Sequence, residues 1–473
     1  MEINRQVYLL NPKELSPETI AVTFAKTSRS PQSFREIAAE LTDKASSEFN
    51  EKWVVGYGHS SVAEHAVLHI AIENVSRLAI ETIESNRLAS YTEKSTRYQK
   101  WNPEAFYIPP ELIDQPLLAD YKAVCTRLFA SYVSALEVVR VVVMKELPRK
   151  ESESEAAWER RIRTEYTDVC RYLLPACALA NVGMTINARA LEHAIQKMFS
   201  SPLREVRQLG IEVKQVCQAE IPTLIKYAEK VPYLEQTRQD LKSVAAELKP
   251  DDHKRDWCQL IAWEPEGEDR ILAAALYRFG NQDFVANLGY VKNLSQKERI
   301  GLVKTMLGTR GSHDIPLREL EHTSYTFDMV MDQGAYCEFK RHRMTTQSVQ
   351  ELGTSLGYVV PRRISTGGFE DEYRSVMKQA EQLYKRLAGE DPYLASYVVP
   401  NSYKRRVLLT MNLREAYHFC SLRSAPNAHF SVRRIALRMA EEIAARHPIL
   451  ASFMDIPESE SWQSITADNF SSI

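Results

Sequence analysis

The sequence has no cysteine pair at redox or metal-binding spacing. Cys125, Cys170, Cys177, Cys217, Cys258, Cys337 and Cys420 are scattered, odd in number and without any CxxC, which argues against a disulfide framework and against a zinc site. They read as reduced thiols of a cytoplasmic protein with no metal centre. Surplus positive charge is missing too. With 60 basic residues against 62 acidic ones, no bulk field can hold a nucleic acid polymer by counterion release, so any anion must be gripped locally. Nor is there a long apolar run: the most apolar stretch, Ala135 to Met144, is interrupted by Glu137 and Arg140. The opening MEINRQVYLLNPKEL carries neither a basic region nor a long apolar segment, so neither a membrane partner nor an export signal is expected.

What is present is ordinary material for folding: 473 residues, 44% hydrophobic and 26% charged, enough for two large domains. Apolar residues recur three or four apart over Ser33 to Ser47, Leu117 to Glu146 and Leu203 to Ala228, which predicts helices. Ser152 to Arg163 reads as a charged helix or loop, and Val67 to Ile72 and Thr323 to Val330 read as strands. The polar stretch Tyr233 to Trp257, with its LKPDDHKRD, punctuates the chain. The domain boundary is expected there: one domain over 1–230, a linker over 231–251, and a second domain over 252–473.

Self-similarity crosses that boundary. EHAVLHIAIENVSRLAIETIESNRLASYTEKS matches EHTSYTFDMVMDQGAYCEFKRHRMTTQSVQEL, pairing Glu64 and His65 with Glu321 and His322, and Arg87 with Arg343. Further on, LLPACALANVGMTINARALEH matches VVPNSYKRRVLLTMNLREAYH, pairing Pro175, Asn187, Arg189 and His193 with Pro400, Asn412, Arg414 and His418. The collinear order points to a tandem duplication.

Three segments carry chemistry. In NRLASYTEKSTRY, Glu93, Ser95 and Arg97 alternate, and an extended loop would turn all three to one side. A guanidinium beside a hydroxyl there suits a phosphate monoester, although a solvated polar edge has the same pattern. The triplet Arg341, His342, Arg343 suits an anionic cofactor or a plain basic surface. On the helix Asn412 to Arg423, residues 412, 415, 419 and 423 lie near one stripe and 414 and 418 on another. That arrangement leaves little apolar surface, which fits either a polar ligand or arginines paired with Glu415 and other carboxylates.

Together these segments resemble the flavin-dependent thymidylate synthases, which carry HxTxxEH, then RHRxASYNExSxRY, ARxxLP and NxRxxxHFxxLR in order. The first half offers HSSVAEH, SNRLASYTEKSTRY, CRYLLP and NARALEH; the second offers LEH, RHR and NLREAYHFCSLR. The resemblance covers nearly the whole chain. It implies an α+β fold in two tandem copies, each with helices on a small, mostly antiparallel sheet, related by a pseudo-twofold axis. It also implies reductive methylation of dUMP to dTMP, with FAD as cofactor and NADPH and methylenetetrahydrofolate as co-substrates.

The two copies depart from the family in complementary ways. The first has Ser85, Asn86 and Arg87 in place of RHR, and Lys197 or Met198 in place of the last arginine, but it keeps Ser61, Glu93, Ser95, Arg97 and Arg171. The second keeps Arg341, His342, Arg343, Asn412, Arg414, His418 and Arg423, but has Val349, Glu351 and Gly353 in the phosphate loop and Ser396 in place of the ARxxLP arginine. By resemblance, Arg171 and Arg423 hold the pyrimidine and stabilise charge on it. Glu93, Ser95, Arg97 and Arg341 bind substrate. Ser61, Arg341, His342, Arg343, Asn412, Arg414 and His418 hold the flavin. Ser95 is a ligand and not a nucleophile, since no histidine stands near it in sequence. Family members are homotetramers with sites shared between subunits, so composite sites are expected here, in a homodimer forming a pseudo-tetramer with two working and two degenerate sites.

One departure touches the substrate. Where the family commonly has glutamine three residues before RHR, the second copy has Glu338 and the first has Thr82. A carboxylate cannot donate a hydrogen bond as the amide does. Either Glu338 selects another pyrimidine nucleotide, or it faces away from the site. A non-catalytic nucleotide or flavin binder is a further reading of two altered copies.

Overall fold

The computed structural model describes residues 6, 8–27, 30–56, 60–249, 255–311 and 313–473. Residues 1–5 at the amino terminus, His59, which opens HSSVAEH, and residues 250–254 at the expected domain boundary lie outside the described residues. The chain forms two compact units that interleave in sequence. The first comprises Met1–Lys94, Tyr107–Ile113 and Ala178–Asp251, and the second Ser95–Phe106, Asp114–Cys177 and Asp252–Ile473. Part of the first copy is thus built into the second unit.

In the first unit, β1 (Val67–Ser76), β2 (Ala89–Glu93) and β3 (Leu179–Asn187) make an antiparallel sheet in the order β1-β3-β2. Side chains alternate along β3, so Ala180, Val182, Met184 and Ile186 are buried. Helix Ala188–Phe199 buries Leu191, Ile195 and Met198, and helix Arg204–Gln218 buries Val206, Leu209 and Val213, both at helical spacing. The helix expected from Ser33 to Ser47 breaks into Phe34–Glu40 and Asp43–Asn50. Thr42 causes the break: its hydroxyl accepts the Ala45 N–H at 3.2 Å and caps the second helix. The helix expected over Leu203 to Ala228 ends at Gln218. The polar stretch after it contains helix Pro232–Ala246, none of whose residues is buried.

In the second unit, β4 (Cys258–Trp263), β5 (Ser324–Asp332), β6 (Thr346–Val349) and a later strand make an antiparallel sheet. β7 (Val360–Pro361) lies outside that sheet; the later strand is β8 (Lys404–Asn412), and the sheet order is β4-β5-β8-β6. β7 pairs with β9 (Phe470–Ser472). Phe327, Met329, Leu409 and Met411 of the sheet share a core with Phe339, Phe419, Ile435 and Met439 of the helices. Helix Leu117–Glu146 spans about 45 Å at 1.5 Å per residue and buries Tyr121, Cys125, Leu128, Tyr132, Leu136, Val139 and Val143 along one stripe. Arg127 and Ser131 on it donate to Glu372 of helix Glu370–Glu390 at 2.6 and 2.5 Å. The segment read as a charged helix or loop is the start of helix Glu155–Cys170. The architecture is mixed, with helices around small antiparallel sheets as the sequence predicts. All seven cysteines are buried thiols. No helix among the described residues is long and apolar enough to cross a membrane.

Strand register repeats between the two sheets. β1 meets β3 from Val67↔Asn187, and β5 meets β8 from Ser324↔Asn412. Likewise Ser90↔Thr185 corresponds to Thr346↔Thr410. Of these four pairings, the β1–β3 one shifts register between Ile72 and Val75, a bulge in which Asn74 adopts φ 57°. That bulge absorbs the one extra residue between Glu64 and Arg87 compared with Glu321 and Arg343. The corresponding Asn187 and Asn412 each cap a helix, accepting from the N–H of Ala190 and of Glu415, both at 2.9 Å. Arg189 pairs with Glu64 at 2.5 Å, as Arg414 pairs with Glu321 at 2.7 Å. One interhelix bond keeps its place with its partners exchanged: Ser76 donates to Glu205 at 2.6 Å, whereas Ser431 donates to Asp332.

Candidate functional site

Helix Gln333–Phe339 follows β5, capped by the Asp332 carboxylate accepting the Ala335 N–H at 2.7 Å, and all seven of its residues are buried. Among them is Glu338, and a buried carboxylate has to be paired. Two arginines pair it. Arg171 Nη2 donates to Oε1 at 3.0 Å, and Arg423 Nη1 donates to Oε2 at 3.2 Å while its Nη2 reaches the Glu338 carbonyl at 3.2 Å. Burial works to raise the Glu338 pKa, but Arg171, Arg97, Arg423 and Arg341 hold it below the ordinary carboxylate value.

Arg171 begins the short turn Arg171–Leu173 after helix Glu155–Cys170, and its carbonyl accepts from Asn401 Nδ2 at 2.9 Å. Besides Glu338 it donates to Thr96 Oγ1 and to the Gly334 carbonyl, each at 3.3 Å. Its buried Nε has no hydrogen-bond partner among the described residues.

Arg97 lies nearby in the same unit, clamped to Asp168 by three bonds, Nε to Oδ1 at 2.8 Å and to Oδ2 at 3.1 Å, and Nη2 to Oδ2 at 2.7 Å. Its Nη2 also reaches the Asn427 carbonyl at 3.1 Å. Burial opposes its charge, yet Asp168 more than offsets that and raises its pKa.

His342 completes the cluster. Its Nε2 accepts from Arg423 Nε at 2.9 Å, so the ring proton sits on Nδ1 and donates to Glu415 Oε1 at 3.1 Å. Burial, helped by Arg423 and opposed by Glu415, lowers the His342 pKa and keeps the ring neutral. The ring packs edge-on against Phe419, with centroids 4.8 Å apart.

The helix carrying Arg423 is Leu413–Ser424, and its polar stripes divide the work. Glu415, Phe419 and Arg423 meet His342 and Glu338. Arg414 and His418, with the cap Asn412, line a cleft of about 640 Å³. The expectation of little apolar surface is corrected: Leu413, Ala416, Tyr417 and Cys420 are buried in the core on a third stripe, and Phe419 of the first stripe is buried there too.

The expected residues are thus distributed unevenly. Ser95, Arg97, Arg171, Glu338, Arg341, His342, Arg343 and Arg423 all belong to the second compact unit, although the first three come from the first copy. Arg341 is exposed and Arg343 half-buried, in the turn before β6. Ser61 and Glu93 belong to the first unit, where Ser61 is exposed and the Glu93 carboxylate is buried against Arg77 at 3.1 Å. The alternation of Glu93, Ser95 and Arg97 does not run on as an extended loop. β2 ends at Glu93 and the chain turns over Thr96 to Tyr98, with Ser95 Oγ accepting the Arg97 N–H at 3.1 Å.

Sequence reasoning missed Asp168, Thr96 and His429. Asp168 is 71 residues from Arg97 and carries no motif. His429 caps helix Phe430–Ala444: Nδ1 accepts the Ser431 N–H and Nε2 faces the Asp168 carbonyl, both at 3.2 Å. The one signal for it was position, a histidine just before an amphipathic helix.

A family model described as thymidylate synthase complementing protein matches this chain twice, over residues 11–223 and 259–449. The chain belongs to that family. The UPF0159 protein of Chlamydia muridarum is 32% identical over 435 residues, covering 88% of this chain and 82% of its own. A flavin-dependent thymidylate synthase of Clostridium tetani is 26% identical over 218 residues, 45% of this chain and 82% of that protein. Thymidylate synthase X from Helicobacter pylori, solved with FAD and dUMP, is 19% identical and covers 42% of this chain and 98% of that chain, with a TM-score of 0.31. Within this chain, Arg97 and Arg171 come from the first matched region and Glu338, His342 and Arg423 from the second.

Proposed function

We propose that the chain is a flavin-dependent thymidylate synthase, converting dUMP to dTMP with methylenetetrahydrofolate and NADPH through FAD. One observation carries the reading: Arg97 and Arg171 of the first copy and Arg423 of the second converge around Glu338 within one compact unit. Neither copy alone holds both sets. Reacting groups must come within about 3 to 3.5 Å of one another, so a composite enzyme needs this convergence.

The residues present fit the cofactor. Asn412, Arg414 and His418 line the 640 Å³ cleft together with Met344 and Leu422, two exposed apolar side chains suited to a flat ring system. Of the acidic groups there, Glu321 is taken by Arg414, Glu415 by His342 and Asp314 by the Gly311 N–H, and Asp455 is the fourth that lines it. Arg310 and His313 also line the cleft, and Arg310, which donates to the Phe453 carbonyl at 3.0 Å, has further N–H groups to offer an anionic ligand. FAD would supply the hydride there. The chain's own part is to bind, orient and polarise: Arg171 and Arg423 present fixed cations in a dry site, where stabilising negative charge on a pyrimidine is worth several kcal/mol. His342, held neutral, orients Arg423 and neither gives nor takes a proton at neutral pH.

A specific observation favours a second reading. Glu338 occupies both arginines expected to hold the pyrimidine, which suits a flavoenzyme acting on another pyrimidine nucleotide. Purified protein decides between them. A flavin absorption spectrum, with dTMP formed from dUMP, methylenetetrahydrofolate and NADPH, is the expected result; yellow protein that turns over only dCMP or UMP moves the assignment to the second reading. Colourless protein, or yellow protein that cannot oxidise NADPH, sinks both.

A further inference from the structure

Arginines crowd the Glu338 carboxylate. Four arginines, Arg97, Arg171, Arg341 and Arg423, bear on its carboxylate. Against them stand Glu338 itself, Asp168 on Arg97 and Glu415 on His342, while His342 and His429 are both pushed toward the neutral form. Arg97, Arg171 and Arg423 thus each have a carboxylate beside them, Asp168 for the first and Glu338 for the other two. In addition, Arg171, 2% exposed, has a buried Nε–H with no hydrogen-bond partner among the described residues. An unmet buried donor costs stability with no anionic ligand bound and is relieved by one.

We propose that Glu338 is a resident anion: it holds Arg171 and Arg423 in place of an anionic ligand group, and so sets how tightly a pyrimidine nucleoside monophosphate binds. This rests on the nucleotide-binding reading above. Each guanidinium already spends one hydrogen bond on the Glu338 carboxylate, Nη2 of Arg171 on Oε1 and Nη1 of Arg423 on Oε2. A ligand anion approaching the same two groups must share or break those bonds, and it meets the repulsion of a carboxylate already in place. Glutamine has the same shape without the charge. Glu338→Gln therefore removes the competitor, leaving a stronger anion site and a less compensated arginine cluster.

The test uses the full chain as wild type, Glu338→Gln, Glu338→Asp and Glu372→Gln, with dUMP and inorganic phosphate as probes, read by calorimetry and thermal unfolding. Glu372 takes part in a pair with Arg127 elsewhere in the second unit and serves as the control. Glu338→Gln is expected to bind dUMP roughly ten-fold tighter than wild type or better, a loss of one like charge at close range. It should also melt lower without ligand and recover most of that loss with dUMP. Glu338→Asp keeps the charge, and with it the fold, but withdraws the carboxylate by one methylene; a smaller gain in the same direction is expected. Glu372→Gln should leave dUMP binding unchanged. Unchanged or weaker dUMP binding in both Glu338 variants overturns the resident-anion proposal while leaving nucleotide binding by the wild type intact. If no form binds dUMP but Glu338→Gln gains inorganic phosphate, Glu338 is still a resident anion, but the nucleotide part of the proposal falls together with the nucleotide reading; no gain for either probe ends the proposal.

Discussion

The two sheets share one register and serve different ends. In the first unit, the last turn of the helix that follows β3 places Lys197 against neutral partners, the Ser85 hydroxyl at 2.6 Å and the Asn86 amide oxygen at 3.1 Å. In the second, the equivalent helix after β8 places Arg423 against His342 and the ionised Glu338. Backbone pairing, the asparagine caps and the glutamate–arginine pair beside each cap have been kept. The charges near the helix end have not. Duplication of a fold thus preserves what the sheet needs to form, and leaves free to diverge the few side chains that a ligand or a buried charge requires.

The largest expected effect contrasts Arg171 with Ser396, which occupies the matching turn of the second copy. Removing one member of a buried ion pair leaves the other charge uncompensated, a loss of about 3 to 5 kcal/mol. Both side chains of the Arg171–Glu338 pair are almost wholly buried, at 3% and 6% exposure. Arg171→Ala should therefore lower the urea midpoint far more than Ser396→Ala, which removes one bond to the Leu352 carbonyl worth about 1 kcal/mol. Equal shifts would mean that the remaining arginines already satisfy Glu338.

How far the sequence made this legible depends on whether a feature repeats locally. Helix Leu117–Glu146 runs between the residues its periodicity predicts, because a buried stripe of seven apolar residues dominates it. The repeated NxR segments aligned Asn187 with Asn412, and the structure shows each to be a helix cap at the end of a strand. The turn after Glu93 could not, since it depends on a serine hydroxyl bonding two residues on. The interleaving of the units was also hidden: the segments Ser95–Phe106 and Asp114–Cys177 look like the rest of the first copy, and only packing assigns them to the second unit. Glu338 was visible as a departure from the family, but its partners lie 167 and 85 residues away. No local pattern carries a distance of that kind.

A middling effect comes from the exchanged hydrogen bond. Ser76 donates to Glu205, and Ser431 donates to Asp332, at equivalent points of the two units. In each case a buried carboxylate also caps or supports a helix start: Asp332 caps helix Gln333–Phe339, and Glu205 accepts the Ser76 N–H at 2.8 Å. Ser76→Ala and Ser431→Ala should each cost about 1 to 3 kcal/mol, because the carboxylate loses a donor in a place water does not reach. Hydrogen exchange localised to each unit reads the two losses separately. A loss in one unit and none in the other breaks the equivalence that the shared register suggests.

The smallest effect separates the units by pH. His429 caps helix Phe430–Ala444, whereas Leu203, in the matching position, offers its helix no side-chain bond. Burial first, then Arg171 and Arg97, push the His429 pKa well below its usual 6.5, against the Asp168 carbonyl. The folded protein therefore keeps this ring neutral where the unfolded chain takes up a proton. Below about pH 6.5 the unfolded state binds the extra proton, so stability falls with falling pH, and above it the group contributes no slope. One such histidine accounts for at most about 1.4 kcal/mol per pH unit. His429→Asn keeps a good capping side chain and cannot titrate, so its stability should fall less steeply than that of wild type between about pH 6.5 and 5. His342, also lowered, retains its own share of the slope in both proteins. Leu203→Asn should leave the slope as it is and, if anything, raise stability at every pH by supplying a missing cap. Urea midpoints of the three proteins across that range measure the difference directly. Parallel curves for wild type and His429→Asn would show that His429 is protonated in the folded protein as readily as in the unfolded chain, and the helix start of the second unit would then carry a charge that its packing against Arg171 and Arg97 argues against.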